Sequence, residues 1–265
     1  MFPQLPQRRR FMRFLGRTAA SAILLAGLCS CQTSGPSDIT GSLGEKGEAS
    51  RAADPRREAD LSRDRFRANP KDPDVALQYG KALRATGQRS QAVAVLEQAS
   101  IAHPGNKPLL AGYGRALADN GNFQQAFDVL GRAHSPEDPD WRILSAQGTT
   151  LDQLGRHDEA RQYYANALKI APEDPSVLSN LGLSYVLSKD LPKAEETLRR
   201  AHSHAIADPR MRLNLAFVVG LQGRLEEAET IVKTDRPAAE AAADVAYLKR
   251  LLSRKEKALA GRQPD

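Results

Sequence analysis

The chain has 265 residues, 41% of them hydrophobic and 26% charged, enough for one or two domains with a real core, which excludes a peptide or a low-complexity chain. Its formal charge of +6 invites a nucleic-acid reading, but five of those charges are Arg8, Arg9, Arg10, Arg13 and Arg17, in a leader of residues 1–30 that holds no Lys, Asp or Glu. Beyond the leader the chain is within one charge of neutral, so broad binding to nucleic acid is not expected.

The leader reads as a signal peptide: an arginine-rich n-region followed by the apolar stretch Ala19 to Leu28. That stretch is about half the roughly 20 residues that a membrane-spanning helix needs. The two cysteines, Cys29 and Cys31, stand one residue apart at its end, which excludes a disulfide framework, a CxxC redox pair and a cysteine-based zinc site. The run Leu28-Cys29-Ser30-Cys31 resembles the bacterial lipobox, with Leu three residues before the lipidated cysteine and a small residue just ahead of it. Cys31 fits that register, because a cut before Cys29 would put Leu28 where a small side chain must admit the peptidase. An ordinary secretory signal is the alternative. The stretch Arg8 to Arg13 also looks like a twin-arginine export motif, for which a plain charged n-region is the simpler reading.

Residues 31–55 form the acylated N-terminus and a tether rich in Gly, Ser, Thr and Asp, with a typical reach on the order of 27 Å. Resemblance to bacterial lipoproteins implies that Gln32, in place of Asp, sends the lipid to the outer membrane of a Gram-negative cell, facing the periplasm.

From Pro73 the chain repeats every 34 residues without insertion, in five units starting at Pro73, Lys107, Trp141, Pro175 and Pro209. Position 8 is small throughout (Gly80, Gly114, Gly148, Gly182, Ala216), as are position 20 (Ala92, Ala126, Ala160, Ala194, Ala228) and position 27 (Ala99, Ala133, Ala167, Ala201). Large apolar residues such as Tyr79, Leu83, Leu96, Leu130, Leu151, Tyr164, Leu178 and Leu198 recur at positions 4, 7, 11 and 24, on one helical face. Glycine at position 15 (Gly87, Gly121, Gly155, Gly223) stops the first helix of a hairpin, and Pro70, Pro104 and Pro172 at position 32 end the second. This pattern resembles the tetratricopeptide repeat, and it predicts an all-α solenoid of five helix-turn-helix repeats over 73–236. Five departures, Gln147, Lys189, Asp138, Ile206 and Asp235, put local boundaries in doubt, mainly near 134–140 and 202–208. Residues 56–72 read as an N-terminal capping helix, and 237–265 as a C-terminal capping helix and tail with an apolar stripe of Ala241, Val245, Leu248 and Leu252.

The residues offer no catalytic constellation, so an enzyme, a cofactor, a metal site and a small-molecule substrate are not expected. The five histidines fall at repeat ends or hairpin turns, where His202 and His204 read as solvated loop residues rather than metal ligands. The glycines recur with the repeat instead of clustering as in a phosphate-binding loop.

Likeness to the tetratricopeptide family implies a groove lined by positions 2, 5, 9, 12 and 13. In the first three repeats these positions hold Lys81, Arg84, Arg115 and Arg142, together with Asp74, Asp119 and Asp152. The basic cluster reads either as a solvated helix face or as a site for an acidic peptide. The last two repeats place Leu183, Val186, Leu187, Leu213, Phe217 and Leu221 there. A C-terminal helix folded back into the groove would make these ordinary core; otherwise they form an open partner site.

The run Leu213 to Leu252, with Leu215-Ala216-Phe217-Val218-Val219-Gly220-Leu221-Gln222-Gly223-Arg224 and Arg236-Pro237-Ala238-Ala239-Glu240, looks like the end of the TadD family of Flp pilus assembly lipoproteins. The lipobox, tether and repeat number are similar as well. That resemblance implies a pilotin-like adaptor of the Tad secretion system that binds a protein partner, the secretin or another assembly component. A general periplasmic scaffold lipoprotein that recruits peptidoglycan enzymes or barrel-assembly proteins is the alternative.

Overall fold

A computed structural model describes residues 55–260 apart from 207, 235 and 236, so Cys31, the leader and the tether lie outside the described residues. Five residues spaced by the repeat, Asp72, Asn106, Asp140, Asp174 and Asp208, cap five helices: each side-chain oxygen accepts a backbone N–H two or three residues on, at 2.7 to 3.0 Å. Proline at the first or second helical position, which needs no N–H there, reinforces four of these starts.

The helices so begun are α2 (Pro73–Ala85), α4 (Lys107–Asp119), α6 (Trp141–Gln153), α8 (Pro175–Leu187) and α10 (Pro209–Leu221). Each forms a hairpin with the next: α3 (Arg89–Ala102), α5 (Phe123–Gly131), α7 (His157–Ile170), α9 (Leu191–His204) and α11 (Leu225–Lys233). Two helices flank them, α1 (Pro55–Ala68) and α12 (Ala238–Ala260), and the described residues contain no strand. Successive first helices pack side by side, and each second helix also packs on the first helix of the following repeat. The result is the solenoid that the period predicts.

The hairpin turn is the same in all five repeats. The residue at position 16 donates its N–H to the carbonyl at position 11, from Gln88 to Leu83 at 2.8 Å through Arg224 to Val219 at 3.2 Å. That bond requires a left-handed residue between, supplied by Gly87, Gly121, Gly155 and Gly223 at φ of 75 to 88°. Lys189 adopts φ of 63° in the fourth hairpin, so the turn survives the missing glycine. On either side of the second boundary, α9 runs to His204 and Asp208 caps α10.

The segment 132–140 departs from the pattern: α5 ends at Gly131, and Ser135 and Asp138 exchange backbone hydrogen bonds at 3.2 and 3.5 Å. The irregular segment brings His134 Nε2 to 3.1 Å from Oε1 of Gln147, which occupies a large apolar position yet is 3% exposed. The two departures therefore satisfy each other, since a buried amide needs a polar partner.

At the N-terminal end α1 packs on α2 by stacking Phe66 on Tyr79, with ring centroids 5.2 Å apart. At the other end Ala241, Val245, Leu248 and Leu252 are buried against α10 and α11. Leu252 enters the space over Gly220, where a Cβ would come within 2.8 Å of its Cδ1. The described part of α12 thus covers the end of the last repeat, as a further first helix would, and does not turn back along the groove.

Candidate protein-binding groove

The side-by-side array of α2, α4, α6, α8 and α10 exposes one face of each helix, and its first half holds charge. Lys81 and Arg84 on α2, Arg115 on α4 and Arg142 on α6 all line one cavity of about 460 Å³. Lys107, His134, Asp138 and Asp140 line it too. None of these four stands at a groove position of the family, so the periodic reading passed over them. Lys107 has a signal in hindsight, because it occupies position 1, where three other repeats carry proline.

Arg84 Nε donates to Asp119 Oδ2 at 2.6 Å, and Lys107 lies 3.4 Å from Asp138. Both pairs are partly solvated, so each contributes at most about 1 kcal/mol. Arg142 stacks its guanidinium over the Trp141 ring, 4.3 Å from the centroid. Arg115 is half-buried and makes no ion pair among the described residues. Burial first, and then Arg84, hold its guanidinium below the usual arginine range, against an opposing pull from Asp140. A second cleft of about 380 Å³ shares Arg84, Arg115 and Arg142 and continues along Ser145, Thr149, Ser176 and Asn180. Its walls are held in place by the Asn180 amide, which donates to Ser145 Oγ at 3.1 Å.

Asp152 does not face the groove as its position suggests. It is buried, accepting from Tyr164 Oη at 2.9 Å and Ser184 Oγ at 2.8 Å, with His157 Nδ1 also at 2.8 Å. This carboxylate ties α6, α7 and α8 together, and burial followed by its charge pushes the Tyr164 hydroxyl pKa upward. His157 is therefore a seam residue. His202 and His204 correct the loop expectation, since both lie in the last turn of α9. Burial lowers the His202 pKa, and His204 stands 3.3 Å from Glu173.

The apolar half divides. Val186 is buried, Leu213, Phe217 and Leu221 lean on the C-terminal core, Leu183 is half-buried, and Leu187 is 45% exposed. The core that Leu213, Phe217 and Leu221 lean on includes Val245, Leu248 and Leu252 of α12. The small residues of the repeat, Gly80, Ala92, Ala99, Gly114, Ala126, Ala133, Gly148, Ala160, Ala167, Gly182, Ala194, Ala201 and Ala228, are all buried at helix contacts. Among the described residues no three His, Cys, Asp or Glu side chains gather as a metal site, and no helix is long and apolar enough to cross a membrane.

Stacked helical hairpins with an open inner face define a repeat scaffold of the kind that holds polypeptides. Tetratricopeptide repeat models match residues 85–148, 141–207 and 209–233, and the chain belongs to that family. No curated protein matches the sequence. Among solved structures, the Cut9–Hcn1 heterotetramer of the APC/C is similar at 17% identity and TM-score 0.59, over 76% of this chain and 40% of that one. Human IFIT1, a dimer with m7Gppp-AAAA, is similar at 16% identity and TM-score 0.58, over 70% and 48%. MamA from Desulfovibrio magneticus shows 19% identity and TM-score 0.47, over 73% and 96%. The chain thus spans about half or less of the first two proteins, and at these identities the likeness is one of fold alone.

Proposed function

We propose that this chain is an outer-membrane lipoprotein adaptor of the Tad/Flp pilus secretion system. Lipid on Cys31 holds the solenoid at the membrane, and the groove binds a protein component of the assembly, the secretin foremost. The protein-binding part is carried by the uninterrupted inner face of α2 to α10, a surface suited to an extended or helical polypeptide. The pilus assignment rests on the sequence from Leu213 to Leu252. The anchoring part rests on the Leu28-Cys29-Ser30-Cys31 run, and three acyl chains would anchor effectively permanently at about 0.8 kcal/mol per buried methylene. No catalytic step belongs to this reading.

The test is a photo-crosslinking residue placed at Lys81 and, separately, at Phe217, with irradiation of intact cells and identification of the captured protein by mass spectrometry. Capture of the secretin or another pilus component is the expected result. Capture of peptidoglycan enzymes or barrel-assembly proteins would overturn the pilus assignment in favour of a general periplasmic scaffold.

A further inference from the structure

Beyond the leader, positive charge gathers at the C-terminal end of the chain. Residues 72–247 hold 19 Lys and Arg against 23 Asp and Glu, whereas residues 248–265 hold six against two. The six are Lys249, Arg250, Arg254, Lys255, Lys257 and Arg262. One of them has a structural task, since Lys249 binds Glu229 of α11 at 2.8 Å. Arg250 lies over the exposed Tyr247 ring, 5.8 Å from its centroid. The helix dipole favours cations in the last turn, which in α12 contains Lys257 and leaves Arg254 and Lys255 without that reason.

The helix that carries these cations outruns its support. α12 has 23 residues, against 13 in α10 and 9 in α11, the helices it packs on. Its buried stripe, from Ala241 to Leu252, spans about 17 Å, close to the length of about 20 Å that α10 offers. Residues 253–260 continue the helix for about two more turns. Their sequence, Ser253-Arg254-Lys255-Glu256-Lys257-Ala258-Leu259-Ala260, sets cations beside a leucine, the composition of a helix that lies on a bilayer surface. Leu259 stands seven residues after Leu252, in the register of the apolar stripe.

The extent of the charge selects the partner. A nucleic-acid strand needs cations recurring along an extended path, with aromatic rings on which its bases stack. Here the run is about two turns long, and its neighbouring aromatic, Tyr247, already faces Arg250. A layer of anionic headgroups asks only for several cations on one short element. A chain already held at a bilayer needs no more than a weak second contact.

We propose that the end of α12 rests on a bilayer surface through anionic phospholipid headgroups, with Arg250, Arg254, Lys255 and Lys257 as the contacting cations. This gives the solenoid a second attachment at the end away from α1, so that it lies along the membrane instead of swinging from its lipid. The proposal deepens the adaptor reading and rests on its placement at a membrane.

The test is backbone hydrogen exchange of the full chain on two kinds of vesicle, phosphatidylcholine alone and phosphatidylcholine with phosphatidylglycerol. The amides of residues 253–260 should exchange more slowly on the phosphatidylglycerol vesicles only, and salt at about 0.5 M should reverse the effect, because screening then acts within a few ångströms. Lys255→Gln combined with Lys257→Gln should raise the phosphatidylglycerol needed for protection about tenfold or more. Arg89→Gln combined with Arg132→Gln removes the same charge from exposed positions elsewhere and should change nothing.

Four results would overturn the proposal: no protection on either vesicle, equal protection on both, protection indifferent to the Lys255 and Lys257 substitutions, or an oligothymidylate that protects the same amides at lower concentration than the lipid. Retention of the chain on phosphatidylcholine vesicles reports the lipid anchor separately. Retention without protection of α12 on phosphatidylglycerol would remove this proposal and leave the anchored adaptor standing. Protection on phosphatidylglycerol without retention on phosphatidylcholine would do the reverse.

Discussion

Gly148 and Tyr164 face each other across the α6–α7 hairpin so closely that a Cβ on the glycine would lie 2.7 Å from the ring's Cε1. The relationship recurs through the chain, with Gly80 against Leu96, Gly114 against Leu130 and Gly182 against Leu198. In the fifth repeat both sizes shift: Ala216 takes the glycine's place and the smaller Val232 the place of the large residue, and both are buried. The combined volume of the two positions is kept rather than either side chain, as expected of a close-packed seam.

Gly148→Ala should therefore destabilise the chain by about 1 to 3 kcal/mol. Tyr164 cannot swing aside freely, because its hydroxyl is bonded to the buried Asp152 at 2.9 Å. Gly105→Ala is the control, since nothing lies within 4 Å of a Cβ there. Thermal denaturation should show a lower melting temperature for Gly148→Ala alone, and equal values for the two variants would refute the contact.

Lys189→Gly should stabilise the protein. An L-residue held in the left-handed region costs roughly 1–2 kcal/mol, while glycine loses about 0.4–1 kcal/mol through its freer unfolded chain. The difference is a gain of up to about 1.6 kcal/mol, centred near about 0.8, measurable as a higher denaturation midpoint. The reverse change, Gly155→Lys, should lower the midpoint, because Gly155 sits at φ of 76° in the same turn. A neutral or destabilising Lys189→Gly would mean that the lysine side chain contributes something the turn geometry does not reveal.

The register was legible because small residues at positions 8, 20 and 27 report backbone approaches that only the hairpin geometry creates. The capping residues Asp72 to Asp208 carried the same period and could have been read alongside them. The Gln147–His134 pair was not legible, because its partner comes from a segment that leaves helical spacing. Asp152 was misplaced for a related reason. Position 12 faces the groove on average, yet a carboxylate offered Tyr164, Ser184 and His157 inside the seam turns inward to meet them. The basic cavity was half legible: Lys81, Arg84, Arg115 and Arg142 recur on the first helices, whereas Lys107 and His134 join it only through folding.

Cys31→Ala should leave the solenoid folded and release it from the membrane; no described helix is long and apolar enough to cross a membrane. Fractionation of cells should move the variant from the outer-membrane pellet to the soluble periplasmic fraction, with an unchanged circular dichroism spectrum. Continued sedimentation with the outer membrane would exclude lipid on Cys31 as the anchor.

Truncation after Arg236 removes α12 and uncovers the apolar end of α10 and α11. Leu248 is 1% exposed in its place there, and Val245 and Leu252 are buried beside it. Losing one such leucine typically costs about 2–5 kcal/mol, so the truncated protein should melt earlier and associate, visible by light scattering. A monomer of equal stability would show that α12 covers nothing the fold needs. Leu248→Ala gives a graded version if truncation prevents folding.

The seating of α12 should also depend on acidity through Glu229. This carboxylate on α11 binds Lys249 of α12 at 2.8 Å and Lys233 at 2.9 Å. Those hydrogen bonds, Lys249 first and Lys233 next, hold its pKa down at about 2 from 4.5. A carboxyl group whose pKa is lowered by folding stabilises fully above its unfolded value, and its contribution fades as pH falls toward the folded one. The contribution of this bridge is therefore present above about pH 4.5 and lost on the way to about 2. Lys249→Met removes the larger of the two causes. The variant should release α12 to protease more readily than the parent chain at neutral pH, and the difference should narrow through that acid window. A difference that stays constant down to about pH 2 would assign the effect of Lys249 to packing of its aliphatic stem rather than to its charge.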